Sequence, residues 1–365
     1  MIRTWRPETL AQERNRYPEG LLSIYAGGMK NTIINGDFDI WQRGTSFAAA
    51  GGYMADRWVY GSVGVGVATV SRSTTIPTVA QSGKLSNYSF KVDCTTIDAS
   101  IGASDVYHIY QIVEGYNWKN FAQKSVTVSF WVRSTKTGTF CVALRNGGAD
   151  RSCVIEYTIS TSDTWERKTV TFPASPSAGT WDYTNGVGVQ LLFVIAAGSN
   201  YHTTADAWQT GNYEATANQV NGMDSTSNDF YLSQVQLEVG DTATDFEIRD
   251  FETELAMCQR YYRKSYETET VPATATVVGS AGVAISGAST AATVVHVNWQ
   301  SAMRTTPTIS YWDMSGNASK VFYYAVGNNR TGTVSSQGNT GFLMTSDAAT
   351  SKTGMRFQYT ASAEL

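Results

Sequence analysis

The sequence predicts a mainly β protein: a jelly-roll β-sandwich, a smaller C-terminal β-sandwich, a short N-terminal helical segment and one connecting helix. Three observations carry that prediction. Charged residues are only 16% of the 365, aromatics 12%, and 32 glycines stand against 7 prolines, which suits many short strands joined by turns. Apolar residues alternate with period two along several stretches. Breaks rich in Gly, Ser, Asn and Asp recur between those stretches, at the spacing of a sandwich. Scarce Glu, Lys and Leu argue against coiled coil, and plentiful aromatic and β-branched residues argue against disorder.

Residues 1–30 differ from the rest. Pro7 suits a first helical turn, so Glu8–Arg16 is expected to form a short helix, ended by Pro18 and Gly20. Such a segment buries too little to stand alone. Trp5, Tyr17, Leu21 and Leu22 are therefore expected to dock on a partner.

Residues 31–249 read as strands. Val126, Val128, Phe130 and Val132 share one face, and Thr139–Leu144, Cys153–Ile159 and Lys168–Phe172 keep the same period. Val187–Ala196 is apolar on both faces, the pattern of a central strand lying between two sheets. Phe230–Val239 alternates with one phase slip. Gly198–Asn228 breaks the rhythm: it is polar, long and holds Tyr201, His202, Trp208 and Tyr213. Long connections without strand signals are uncommon inside domains and are often functional.

Residues 250–266 form the connecting helix. Asp250 is the expected N-cap, with Phe251, Leu255, Cys258 or Gln259, and Tyr262 on one face. Residues 267–365 form a second β-rich module, with strands at Ala292–Trp299, Thr308–Trp312, Lys320–Val326, Gly341–Thr345 and Met355–Ala361. A module of that size has a marginal core, and association with other copies is the usual remedy.

The charge balance is mild, net −4, with no basic stripe to neutralise phosphates. Nucleic acid is a poor partner on that ground. The longest apolar runs, such as Val187–Ala197, are too short to span a bilayer, and Met1–Gly20 has no apolar core of the signal-peptide type. Cys94, Cys141, Cys153 and Cys258 lack metal or redox spacing and are expected to be buried free thiols. With three histidines a zinc site is not expected.

Catalytic motifs are absent: the chain holds no GxSxG, P-loop or HExxH pattern. Carboxylate pairs for glycan hydrolysis assemble in space, and Asp182, Asp206, Glu214, Asp224 and Asp229 flank the polar stretch. Asp37 and Asp39 are spaced to put two oxygens on one side of an extended segment. That arrangement suits calcium, but turn aspartates capping backbone amides give the same pattern. Calcium is the one cofactor the residues suggest. His108 and His296 sit in strand-like stretches as structural histidines. Surface aromatics speak more clearly, because sugar rings stack on Trp and Tyr while amides bind hydroxyls. Trp208, Tyr213, Tyr201, Trp181 and Tyr183 lie in Gly/Thr/Asn-rich stretches and are the glycan-binding candidates.

Asn31–Gly44 (NTIINGDFDIWQRG) with Tyr53–Trp58 (YMADRW) resembles the opening of jelly-roll domains in bacteriophage and prophage tail fibre proteins. The likeness continues through Gln234–Gly240, Ala243–Arg249 and Glu254–Tyr262, and in the C-terminal module at Met303–Thr308 and Ser362–Leu365. These motifs are scaffold. Arg57 is expected to pair with a carboxylate and Trp58 to be buried. The helix is expected to cover an open end of the sandwich, held by Arg260 and the tyrosines Tyr261 and Tyr262. The resemblance implies a virion fibre protein, a homotrimer that attaches to host surface polysaccharide, with its N-terminal segment on other virion proteins. A purely structural virion piece and a polysaccharide depolymerase are the alternatives. Neither nucleic acid nor membrane insertion is expected.

Overall fold

A computed structural model describes residues 29–48, 51–348 and 350–365. Trp5, Tyr17, Leu21 and Leu22, the expected docking residues, lie outside the described residues. The first body is a sandwich of two antiparallel sheets. One sheet has the order β1 (Ser46–Ala48), β4 (Val67–Ser73), β5 (Ser89–Thr96), β13 (Asp229–Val239), β7 (Val126–Ser134), β10 (Glu166–Phe172). The other has the order β12 (Trp208–Thr210), β9 (Arg151–Ile159), β8 (Gly138–Asn146), β11 (Val187–Ala197), β6 (Val106–Glu114), β3 (Trp58–Val63), β2 (Gly52–Tyr53). The fold is the mainly β, jelly-roll sandwich that the alternation predicts.

Period two decides what is buried. Phe130 and Val132 of β7, Phe140, Val142 and Leu144 of β8, and Leu191 and Phe193 of β11 all face the inter-sheet core. Aromatic rings tie its layers together, with Phe130 against Phe193 at 4.9 Å and Phe38 against Trp58 at 4.9 Å. Each such pair adds about 0.5–1.5 kcal/mol beyond its buried area. Cys94, Cys141, Cys153 and Cys258 are free and buried.

The phase slip in 230–239 is a β-bulge between Ser233 and Gln236. Gln234 there has φ 50°, a left-handed value that non-glycine residues adopt at a cost. The bulge frees the Val235 amide to donate to the Gly36 carbonyl, while Asn31 Nδ2 donates to the Val235 carbonyl. A Cβ on Gly36 would lie 2.2 Å from Val235 O, so glycine is required at that contact.

Two short helices precede the connecting one: α1 (Val79–Ser82), closed by a Thr78–Gln81 capping box, and α2 (Gly115–Trp118). The connecting helix α3 spans Phe251–Gln259, shorter than expected, because Tyr262 already belongs to strand β14 (Tyr262–Lys264). Asp250 occupies the N-cap position without a side-chain capping bond. The expected face holds at Leu255, Cys258 and Tyr262 and fails at Phe251. Cys258 and Tyr261 are buried with Leu255 and Met257 against them, whereas Phe251 is 49% exposed. The expected anchoring holds in kind: Arg260 makes a bidentate pair with Glu114 at 2.8 and 2.6 Å, and Tyr261 Oη donates to the same carboxylate at 2.6 Å.

The second body is organised on β22 (Lys352–Ser362), which pairs with β14, β15 (Ala281–Ser289), β17 (Thr308–Trp312) and β18 (Val321–Tyr323). β19 (Gly327–Arg330) extends β18, and β16 (Val294–Asn298), β21 (Gly341–Ser346) and β20 (Gly332–Gly338) form a second small sheet. Its core holds Val321, Tyr323, Phe342, Met344, Met355 and Phe357. Strand β15, with glycines and alanines alternating among few large residues, was not expected from the sequence.

The two bodies meet at a buried ionic clamp. Arg57 is fully buried, stacks 3.5 Å over the Tyr261 ring and donates to the Ile112 carbonyl at 2.7 Å and to Glu364. Arg43 also reaches Glu364, at 2.8 Å. The carboxylate partner of Arg57 is therefore Glu364 of the second body, whereas neighbouring Asp56 is held by Gln42 and Arg43.

Candidate functional site

The outward positions of the seven-stranded sheet fall into rows set by strand register. One row runs Gly61, His108, Val194, Cys141, Glu156; the next runs Val59, Tyr110, Leu192, Ala143, Val154. A third brings Gln190 beside Arg145 and Ser152. Among the described residues, the apolar part of this face, on β11, β8 and β9, has no second sheet over it. The polar segment 198–228 folds across it instead. Ala215 is fully buried against Cys141, Ala143, Val154, Leu192 and Val194, and Tyr201 and Tyr213 pack on the same cluster. This explains why β11 is apolar on both faces, and it corrects the expectation of a sheet on each side.

The segment is well tied down. Glu214 and Ala215 amides donate to the Tyr201 carbonyl at 3.0 and 3.1 Å, Gly211 N donates to Asp150 O at 3.1 Å, and Ser152 Oγ donates to Gly211 O at 2.9 Å. It also contains a 3-10 turn at Ser199–Tyr201 and strand β12.

Where the segment stops, an open groove begins. Its volume is about 450 Å³, within the range of ligand sites. The floor is Val59, Gly61, His108 and Tyr110; Tyr201, Asn212 and Glu214 form one wall, and Gly51–Tyr53 the other. Arg145 closes one end of it.

A fixed polar network lines this wall. Glu214 is 1% exposed and accepts from Arg145 Nη1 at 2.5 Å, with His108 Nδ1 also 2.5 Å away. Arg145 donates further to Asn212 Oδ1 at 2.5 Å and to Gln190 Oε1 at 2.9 Å. Burial pushes the Glu214 carboxyl up, but His108 and Arg145 outweigh it and hold the group below its ordinary 4.5. The His108 ring stands edge-on to Tyr110 at 5.2 Å. Its other edge lies over Gly61, where a Cβ would come within 2.3 Å of Nε2. The arrangement presents aromatic surface beside preset donors and acceptors, suited to binding a polyhydroxylated ligand.

The five aromatics expected at the site are divided by the structure. Tyr201 lines the groove, and Tyr213 packs beside it on the same sheet face. Trp208 and Trp181 are elsewhere: Trp181 stacks on buried Trp118 at 5.9 Å and meets Trp208 edge-on at 5.6 Å, and Trp208 Nε1 donates to Pro173 O at 2.8 Å. Their rings are largely used in packing. Tyr183 is 37% exposed and lies outside the groove. Asp37 pairs with Lys84 and accepts from Ser86 Oγ at 2.7 Å, while Asp39 accepts from Asn87 at 3.1 Å. Among the described residues no group of three or more His, Cys, Asp or Glu side chains is placed to hold a metal ion.

No protein-family model matches the chain, and no curated protein matches it. Among solved structures it is similar to the enzymatically active domain of tailspike protein 4 of bacteriophage CBA120, with TM-score 0.31 and 14% identity over 57% of this chain and 21% of that one. It is also similar to the module TmCBM61, described in complex with β-1,4-galactotriose (TM-score 0.31, 10% identity, 58% of this chain and 100% of that one). A structure described as CBM4 gives TM-score 0.32 and 14% identity, over 57% and 99% of the two chains. Likenesses at these TM-scores carry no inference about ligand or activity.

Sequence reasoning missed Tyr53, Tyr110, Arg145 and Asn212, and took His108 as purely structural. A signal was present for two of them. His108 and Tyr110 sit two apart in Val106–Glu114, so period two puts both on the face opposite the core residues Tyr107 and Ile109. Nothing in the sequence showed that Glu214, more than a hundred residues on, would meet them.

Proposed function

We propose that this chain is a non-enzymatic bacteriophage fibre protein that attaches to host surface polysaccharide through the groove beside segment 198–228. The observation that carries the reading is the groove itself, with Tyr110 and Tyr201 next to the preset Arg145–Glu214–His108 network. Such a network costs no reordering when a ligand binds. Of the groove-lining side chains among the described residues only Glu214 is a carboxylate, and it is already committed to Arg145 and His108. Two-carboxylate glycan hydrolysis needs a second acid about 5–10 Å away, so binding without cleavage is the better fit.

The virion setting rests on the resemblance of the Asn31–Trp58 and Gln234–Tyr262 motifs. Homotrimerisation gains support from the second body: from Thr270 to Met303 the chain has no Asp, Glu, Lys or Arg. Val271, Val277, Val278 and Val294 in that stretch are 41–51% exposed. An uncharged apolar surface can meet its own copy without like-charge repulsion, and three weak sites on one assembly would gain avidity.

The deciding experiment is binding of fluorescently labelled protein to host cells with and without periodate oxidation of surface glycans. Periodate-sensitive binding that Tyr110→Ala weakens about tenfold is expected, with no reducing ends released from the polysaccharide. Undiminished binding after oxidation overturns the glycan reading. Release of reducing ends overturns the non-enzymatic one.

A further inference from the structure

We infer a second saccharide site on the opposite face of the sandwich, sized for a single sugar ring. It goes beyond the groove reading and does not rest on it. The bulge in β13 is where the observation starts. By turning Gln234 out of the strand's alternation, it lets the amide donate to Ser82 Oγ at 3.1 Å and Ser86 Oγ at 2.9 Å. The end of α1 is thereby fixed above the outer face of the six-stranded sheet. Bulges that re-aim one side chain are common beside binding sites.

Between that wall and the Asp245–Phe246 segment lies a depression of about 240 Å³. Its floor is Ser129 and Trp131, neighbours on β7, and Gln81, Arg167 and Asp245 stand on its rim. Trp131, packed against Trp165 and Tyr231 and 8% exposed, shows a small part of its indole on a face whose other β7 positions are Thr127, Ser129 and Arg133. Arg167 is oriented by donation to the Thr244 carbonyl at 3.1 Å, with the rest of its guanidinium left over. The Asp245 carboxylate and the Ser129 hydroxyl have no hydrogen-bond partner among the described residues. A guanidinium, a carboxylate, two carboxamides and two hydroxyls around a small hollow, with a little indole surface at its base, match the hydroxyls and apolar face of a pyranose. The volume falls short of the about 300–1,000 Å³ of drug-sized ligand sites, which limits the occupant to one ring, such as a branch or terminal residue of a glycan.

The test is saturation-transfer difference NMR on the full chain, with a panel of methyl glycosides of glucose, galactose, mannose, rhamnose and N-acetylglucosamine as probes. Arg167 and Asp245 are exposed, so Arg167→Ala/Asp245→Ala should fold with an unchanged melting temperature. At least one glycoside is expected to give a signal that falls fivefold or more in this double variant and persists in Tyr110→Ala. A wild-type chain that gives no signal with any glycoside overturns the second site. A signal lost only in Tyr110→Ala also overturns it, while leaving the groove reading in place.

Discussion

Gly61 holds the groove open in a way no other residue type allows. Its missing Cβ leaves room for the His108 ring, which in turn meets Glu214. Gly61→Ala should push His108 out of the network and weaken glycan binding about tenfold, roughly 1.4 kcal/mol, with a smaller change in melting temperature. Titration of host-cell binding by the two proteins checks this. Glu214 carries a pH signature. Its folded pKa is depressed, so its pairing stabilises the protein fully above the ordinary 4.5 and is lost as pH falls through the depressed value. The melting-temperature gap between wild type and Glu214→Gln should therefore be widest near neutrality and close on acidification below about pH 4.5. A gap independent of pH would mean that the pairing contributes nothing.

Segment 198–228 acts as the second layer that β11 needs. Its polar composition hides that role, because the cover is made by a few residues, chiefly Ala215, Tyr201 and Tyr213, between turns that face water. Ala215→Asp would bury an unpaired carboxylate on that apolar face, at a cost of about 3–5 kcal/mol. Chemical denaturation should show a drop of that size, whereas Ala205→Asp, at an intermediate position on the same segment, should cost much less. Helix α3 was legible in position, and of its expected face Leu255, Cys258 and Tyr262 turn inward while Phe251 does not. The chain turns into β14 at Tyr262, and the sheet hydrogen bonds of Tyr262 with Ser362 decide its orientation.

The clamp at Glu364 joins both bodies into one molecule. Among the described residues Arg57 is buried with a single carboxylate to balance it, together with the Tyr261 ring and the Ile112 carbonyl. Glu364→Ala should leave that guanidinium unpaired and lower stability by about 3–5 kcal/mol. Calorimetry is expected to show the second body melting separately and first. A single, unshifted transition would mean that the clamp is dispensable. Association is tested at the same level. Val277→Lys/Val278→Lys adds charge to exposed positions of the uncharged stretch, and light scattering after size exclusion should show a trimer become a monomer.

Fold class, most strand positions and the place of the connecting helix were readable because alternation and helical spacing are local: Phe130, Phe140 and Phe193 face the core for reasons contained in their own strands. The scaffold motifs were readable for the same reason, down to the burial of Trp58 and the anchoring by Arg260. The groove was not. Gly61, His108, Arg145 and Glu214 come from four separated segments, and only strand register and the path of segment 198–228 bring them within hydrogen-bond reach. Trp208 and Trp181 show the converse. Their neighbours in sequence are polar, but Trp118 supplies a packing partner that no local pattern reveals. Sequence encodes which way a side chain faces within its element; which elements face each other is settled by long-range pairing, where binding sites are assembled.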